Sequence, residues 1–463
     1  MKINLKRVEI ENFKCFQNKN DIEFGKLTLL TGANSSGKSS IIYSILGAIQ
    51  SGEFPFQFST NGKYVNMGDF QEIIFNHNGK EKIRLGFEFE LEDNSIHKIE
   101  TIWIENLSNN LPKLFEFNSK SDFYSLSVKA KGQKYTIDYK YDPEKDPVNK
   151  QFPKEFYIKI NDLIVNTVKM SKNISNDKND KKNEQVDFEN MFKEMNNLQN
   201  IKGLILDEIP IQARNLKKEG TVRLKQIFNT ISELFTNYDE NINFISSFRL
   251  HPERTYLEQT KSKLKVNNFG DGYLDQLIYW ETKNKFKFKQ LINHLKRLNL
   301  LESIKSKRLA GGRYEISVQV KRDGVDTSLS DVGFGISQFL PIIVADLQLP
   351  KYSTLFIAQP EIHLHPSVQS AFGDYLTHQI KDSSKNYVIE THSEYLLNKV
   401  RLAVVKGELK EDDVKVLFID NDSNDHTIYK IKFNKKGQII NAPNNFFKTY
   451  MMDVMDIAIN ASN

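Results

Sequence analysis

Nine residues, Gly-Ala-Asn-Ser-Ser-Gly-Lys-Ser-Ser at positions 32–40, restrict the possible folds more than any other stretch. They fit G-x-x-x-x-G-K-[ST] and stand between a strand-like run, residues 22–32, and a run with helical apolar spacing, residues 38–50. In that context the glycines let the loop fold around a phosphate. The backbone N–H groups of Asn34, Ser35, Ser36, Gly37 and Ser40 are candidates to point at the anion, Lys38 to reach the β and γ phosphates, and Ser39 to ligate magnesium. A glycine-rich turn with a surface lysine is the plain alternative. The strand before it and the helix after it argue for a nucleotide loop.

A chain of 463 residues with 39% hydrophobic content can bury a sizeable core. Its net charge of +5 is too mild to announce nucleic-acid binding. The single cysteine, Cys15, excludes an intrachain disulfide and a multi-cysteine zinc site, which suits a reducing cytoplasm. The amino-terminal residues alternate charged and apolar side chains, unlike a signal peptide, and the apolar run 339–345 is far too short to span a bilayer. The expectation is a cytoplasmic protein with no membrane partner.

Along the chain, short strand-like runs recur from about 80 to 165, separated by Asn, Asp, Gly and Pro, and predict antiparallel sheet. Residues 171–186 are polar and read as a solvated linker, and 187–302 carry helical spacing. From 313 onward strand and helix alternate, which predicts a largely parallel α/β sheet, and the last 50 residues contain a hairpin-like segment. The expected domains are an amino-terminal lobe, 1–100, an insertion, 101–312, and a carboxy-terminal lobe, 313–463.

A second candidate phosphate loop lies at 328–343. Ser330, Gly333, Gly335, Ser337 and Gln338 precede or open an apolar helix and offer hydroxyls and free N–H groups at its start. An ordinary N-capped helix after a turn is the alternative. Two such loops almost 300 residues apart suggest a site completed by two surfaces.

Four motifs in order, the opening residues through the loop at 32–40, "SDVGFGISQ", "QPEIHLHP" and "VIETHSEYLL", resemble the ABC-type AAA-family ATPases. They are similar to the heads of SMC, RecF and OLD proteins and to ATPases of bacterial anti-phage operons such as PARIS and Septu. The resemblance covers roughly 1–75 and 313–450; "FRLHPERTY", 248–256, resembles a basic motif of the same group. It implies an α/β fold, an ABC-type P-loop ATPase head with a mixed β and helical insertion. It also implies ATP and Mg2+ as ligands and a head-to-tail homodimer or higher oligomer, with an effector protein as the expected partner.

Carried over residue by residue, the resemblance makes Ser330 to Gln338 the signature that touches a partner subunit's γ-phosphate, His392 the switch histidine and Gln71 a glutamine near magnesium. The strand ending at Ala358 and Gln359 becomes the Walker B segment. Relatives normally have an acid at the position of Ala358, and alanine has no lone pair for metal or proton. Glu361, three residues on, is read as structural. We read Ala358 as a substitution made to trap the ATP-bound state, with a natural pseudo-ATPase as the competing account.

Three other readings are open. His363 and His365 have H-x-H spacing without a third ligand nearby, which disfavours a metal. Asp420 and Asp422 follow an apolar strand as in a Toprim nuclease, but Asp, Asn and Ser equally suit a hairpin turn, and that reading is preferred. Between Lys283 and Arg322 there are 12 Lys or Arg and 2 acids, Glu302 and Glu315, which fits DNA or RNA, an acidic protein, or a solvated helix face. The expected function is a nucleotide-gated sensor or scaffold in defence; a RecF/SMC-like repair ATPase and an OLD-like nuclease are the alternatives.

Overall fold

The computed structural model describes residues 2–131, 134–141, 156–160, 218–257, 265–421, 426–443 and 446. The expected linker at 171–186 and Asp422 lie outside them. From the amino terminus the chain forms β1 (Ile3–Glu11), β2 (Asn20–Glu23), β3 (Leu27–Gly32), α1 (Lys38–Gln50) and α2 (Phe70–Ile73). Then come β4 (Ile83–Leu91), β5 (Ile96–Asn106), β6 (Leu111–Lys120), β7 (Tyr124–Lys131), β8 (Lys134–Tyr141), β9 (Phe156–Ile160) and α3 (Lys218–Glu240). The second half contributes β10 (Ile242–Ile245), β11 (Tyr256–Leu257), α4 (Tyr273–Lys283), α5 (Lys285–Arg297), β12 (Ser303–Arg308), β13 (Arg313–Gln319) and β14 (Thr327–Ser328). It ends with α6 (Phe334–Gln348), β15 (Thr354–Ala358), α7 (Pro366–Ser383), β16 (Asn386–Glu390), α8 (Glu394–Val405), β17 (Val414–Asp420), β18 (Thr427–Phe433) and β19 (Ile439–Ile440).

The chain divides into two compact units. The first, mainly residues 3–14 and 44–238, contains the antiparallel run β1-β4-β5-β6-β7-β8-β9. Alternation in β5, buried at His97, Ile99, Thr101 and Trp103, turns one face inward, as a half-solvated antiparallel strand requires. Helix α3 buries Phe228, Ile231, Phe235 and Tyr238, whose spacing of three and four residues lines one side of the helix; Phe235 packs on Phe87 and Phe89 of β4 at 5.6 and 5.2 Å, and Phe228 lies 6.5 Å from Phe117 of β6. Phe54 packs on Phe87, Trp103 and Phe235 at centroid distances of 5.3, 5.9 and 4.6 Å. Burying each such ring contributes roughly 1.5–3 kcal/mol.

The second unit, mainly residues 15–43 and 239–463, is built on a seven-stranded sheet ordered β10-β15-β16-β3-β17-β18-β19. The pairs from β10 to β17 are parallel, and β17 to β18 is antiparallel, so the predicted parallel α/β core and terminal hairpin are both present. All residues of β3 and β15 are buried, as strands covered on both faces demand. Helix α6 is apolar nearly all round and buried from Ser337 to Leu347.

Two elements depart from expectation. Residues 313–319 join no parallel sheet: β13 pairs antiparallel with β11, β12 and β14. Its alternating burial suits a sheet with one wet face. Conversely β10, inside the stretch read as helical, forms the edge of the parallel sheet beside β15. No described helix is long and apolar enough to cross a membrane.

Candidate functional site

Strand β3 delivers its last residue, Gly32, in a backbone conformation with φ +137°, and a side chain there would strike the Ile419 carbonyl of β17. Only glycine fits so close an approach. The loop then turns through Ser35 (φ 58°) and Gly37 (φ +99°) into α1, where Ser40 N donates to Gly37 O at 3.0 Å. Ser36 and Lys38 are buried within it. Lys38 Nζ donates to Ala33 O at 2.5 Å, Gly32 O at 3.2 Å and Ser36 Oγ at 3.4 Å. Burial lowers its pKa, and the charges of Glu390 and Glu361 oppose that shift. The far side of the loop is held by the β17–β18 hairpin: His426 Nδ1 donates to Ser36 O at 2.7 Å and Asn421 Nδ2 to Asn34 O at 3.4 Å.

Ser39 Oγ donates to Glu390 Oε2 at 2.7 Å. Glu390 ends β16 and is paired in register with Leu30 of β3 on one side and Ala358 of β15 on the other. Burial raises its pKa, while hydrogen bonds from the Ser39 and Gln359 side chains and the charge of Lys38 lower it. Gln359, with φ 46°, also donates its N–H to Glu390 O at 2.7 Å. Ala358 therefore ends its strand beside a carboxylate it does not itself supply.

The buried Arg249 donates through Nη2 to Ala358 O at 2.7 Å and Gln359 O at 3.3 Å. Its Nε and Nη1 find no hydrogen-bond partner among the described residues. Burial lowers its pKa to about 10, against the pull of Glu361. Glu361 accepts from His392 N at 2.6 Å and Thr391 Oγ1 at 2.9 Å, which ties the turn after β16 in place. Burial raises the pKa of Glu361, and burial with the nearby Lys38 charge lowers that of His392.

The candidate signature lies at the start of α6. Gly333 is its N-cap, and Gly335 lies so close to His363 O that a Cβ would sit 2.5 Å away. Ser337 Oγ turns back to Phe334 O at 3.0 Å, and Ser330 Oγ shares a hydrogen bond with Ser328 Oγ at 3.0 Å. Gln338 Nε2 donates to Arg249 O at 3.3 Å, linking this helix to the segment that grips Ala358. Gln71, on α2 of the first unit, donates to both oxygens of Glu105 at 2.8 Å.

His365 caps α7 by accepting from Ser367 N at 3.3 Å, while His363 has φ 63° and packs its ring 5.5 Å from that of Phe334. No cluster of three or more His, Cys, Asp or Glu suited to a metal occurs among the described residues. Asp420 pairs with Thr427 as the hairpin begins. In the basic stretch, Lys296 pairs with Glu302 at 3.0 Å, Lys305 with Asp326 at 2.7 Å, and Arg313 donates to Thr255 at 3.0 Å. Several of those cations thus already have partners within the chain.

Sequence reasoning passed over Glu390, Asn421 and His426. For Glu390 a signal existed: the apolar run at 387–389 ends on an acid. For the other two none did, because their contacts with the loop join residues nearly 390 apart.

A buried parallel strand, a lysine-bearing glycine loop and a helix whose first turn presents Ser39, on a sheet with one strand between β3 and β15, define a mixed α/β P-loop ATPase fold. The chain belongs to the AAA ATPase domain family, whose sequence profile matches residues 1–397. No protein of curated function matches it significantly. Among solved structures, an SMC head domain from Thermotoga maritima is 12% identical over 92% of this chain and 98% of that one, with a TM-score of 0.37. An Smc head domain with an extended coiled coil, bound to the C-terminal domain of ScpA and derived from Pyrococcus furiosus, is 11% identical over 100% of both chains, with a TM-score of 0.43. An Smc head bound to the C-winged helix domain of ScpA is 10% identical over 93% of this chain and 98% of that one, with a TM-score of 0.45. The family match and the strand order carry the fold assignment, not these distant likenesses.

Proposed function

We propose that this chain binds ATP with Mg2+ at the loop 32–40, hydrolyses it slowly, and uses it to govern association with a second copy and with a partner effector. The observation that carries the reading is the convergence of Lys38, Ser39 and Glu390 at the end of β3. The donors fit the ligands: a cation and loop amides suit a triphosphate, and the oxygens of Ser39 and Glu390 suit a hard divalent ion. Bound ATP–Mg2+ would supply the reactive phosphoanhydride and its charge neutralisation. Lys38 would hold the phosphates, Ser39 the metal, and His392, neutral at physiological pH, would face the γ-phosphate side as an acceptor or donor for the attacking water.

Slow hydrolysis follows from Ala358, which cannot orient or deprotonate water. The signature-like start of α6, tied to Arg249 through Gln338, supports a composite site in a head-to-tail homodimer. The four motifs shared with ATPases of anti-phage operons support a sensor or scaffold role in defence.

Four measurements test the reading. Lys38→Ala is expected to abolish ATP binding by calorimetry. Light scattering is expected to report a dimer with ATP and a smaller species without it. Turnover is expected to rise on Ala358→Glu, and equal rates would refute the role assigned to position 358. Co-purification with the neighbouring gene product, with and without ATP, identifies the effector.

A further inference from the structure

The strand built to deliver an acid ends on Ala358, yet a carboxylate does reach the metal-side serine of the loop, from the neighbouring strand. Resting on the ATP reading above, we propose that Glu390 is the carboxylate that holds the divalent cation of the bound nucleotide, in place of an acid at position 358.

Ser39 Oγ already lies 2.7 Å from Glu390 Oε2, so a cation ligated by that hydroxyl has this carboxylate as its protein neighbour. In P-loop enzymes magnesium is held by the loop Ser or Thr and by an acid at a nearby strand end, often with water between. Register makes the substitution possible. Glu390 is level with Leu30 of β3 and with Ala358 of β15. Adjacent strands are roughly 4.8 Å apart, so residue 390 stands one strand from the loop strand and residue 358 two. An acid on the nearer strand needs less reach.

The carboxylate is also oriented. Gln359 bonds the Glu390 side chain and donates its own N–H to Glu390 O at 2.7 Å, fixing the strand end. The half-buried Glu361 nearby directs its two oxygens to His392 N and Thr391 Oγ1. With no cluster of three or more metal-ligating side chains among the described residues, the cation here takes its remaining ligands from phosphate and water, which is how magnesium is normally held.

The test measures binding of a fluorescent ATP analogue to the full chain with EDTA and with MgCl2. In the wild type magnesium is expected to tighten binding by about tenfold or more, about 1.4 kcal/mol. In Glu390→Gln that enhancement, taken as the ratio of affinities with and without metal in the same variant, is expected to fall to about twofold or less. Adding Ala358→Asp to Glu390→Gln is expected to return part of it.

A Glu390→Gln protein that is folded by circular dichroism and keeps the wild-type magnesium enhancement overturns the proposal while leaving the ATP site standing. A wild type that binds no analogue under either condition overturns the ATP reading itself. A variant-free check uses Mn2+ and ATP on wild-type protein carrying 13C-carboxyl glutamate. A manganese–carbon hyperfine coupling is expected, and its absence overturns the role of Glu390.

Discussion

Asp346 offers the most sharply graded test of how the second unit is held together. Its fully buried carboxylate, on α6, accepts from Tyr387 Oη at 3.0 Å, from Lys385 Nζ at 3.2 Å and from the Tyr375 hydroxyl. All three donors are buried, and burial together with the Asp346 charge pushes both tyrosine pKa values well up. Asp346→Ala leaves the Lys385 ammonium in the core with only the residue 346 carbonyl to hold it. Removing one partner of a buried pair costs about 3–5 kcal/mol, and the two orphaned hydroxyls keep the expectation toward the upper end. Lys385→Met removes the other charge and should cost a similar amount. The double variant removes both charges and should cost about 2–3 kcal/mol less than the sum of the singles. Urea unfolding followed by circular dichroism measures all three. A single-variant cost below about 1 kcal/mol, or a coupling below about 0.5 kcal/mol, would refute the buried pair as the clamp between α6 and β16.

Two further outcomes are expected. His97, buried in β5 with Asp93 and Asp122 nearby, has its pKa lowered by burial against the pull of those acids, so the unfolded chain takes up a proton that the folded one refuses. Stability should therefore fall as pH drops below about 6.5, and His97→Phe should flatten that slope in thermal melts between pH 5 and 7. Gly32→Ala forces a side chain against the Ile419 carbonyl at φ +137°; a cost of about 1–3 kcal/mol in melting and lost binding of the ATP analogue are expected, and wild-type values for both would show that the loop relaxes freely.

What could be read from the sequence was what is local. The loop at 32–40 declares itself because its chemistry is carried by nine consecutive residues, with glycines where the backbone needs them and Lys38 and Ser39 where phosphate and metal need them. The parallel core was legible from the alternation of strand and helix after residue 313. Residues 313–319 misled because strand and helix alternate around them, and only their two-residue burial period marks them as antiparallel. Strand β10 was missed because four residues following a long helix carry too little pattern to separate from it.

The deeper reason that Glu390 went unread is that linear motifs assign an acid to a position in a segment, whereas a metal responds to a position in a sheet. Ser39 and Glu390 are 351 residues apart in sequence, and Arg249 and Ala358 are 109 apart. Only the parallel register of β3, β16 and β15 turns those separations into neighbours. Because residues 358 and 390 are level on adjacent strands, an acid on either one faces the same end of the sheet. A carboxylate lost from one strand end can then be supplied in part by the next, at the cost of geometry for the attacking water. A chain with the acid at 390 alone is therefore expected to keep metal-dependent nucleotide binding and to lose most of its turnover, so that binding and hydrolysis respond separately to Glu390→Gln and Ala358→Glu.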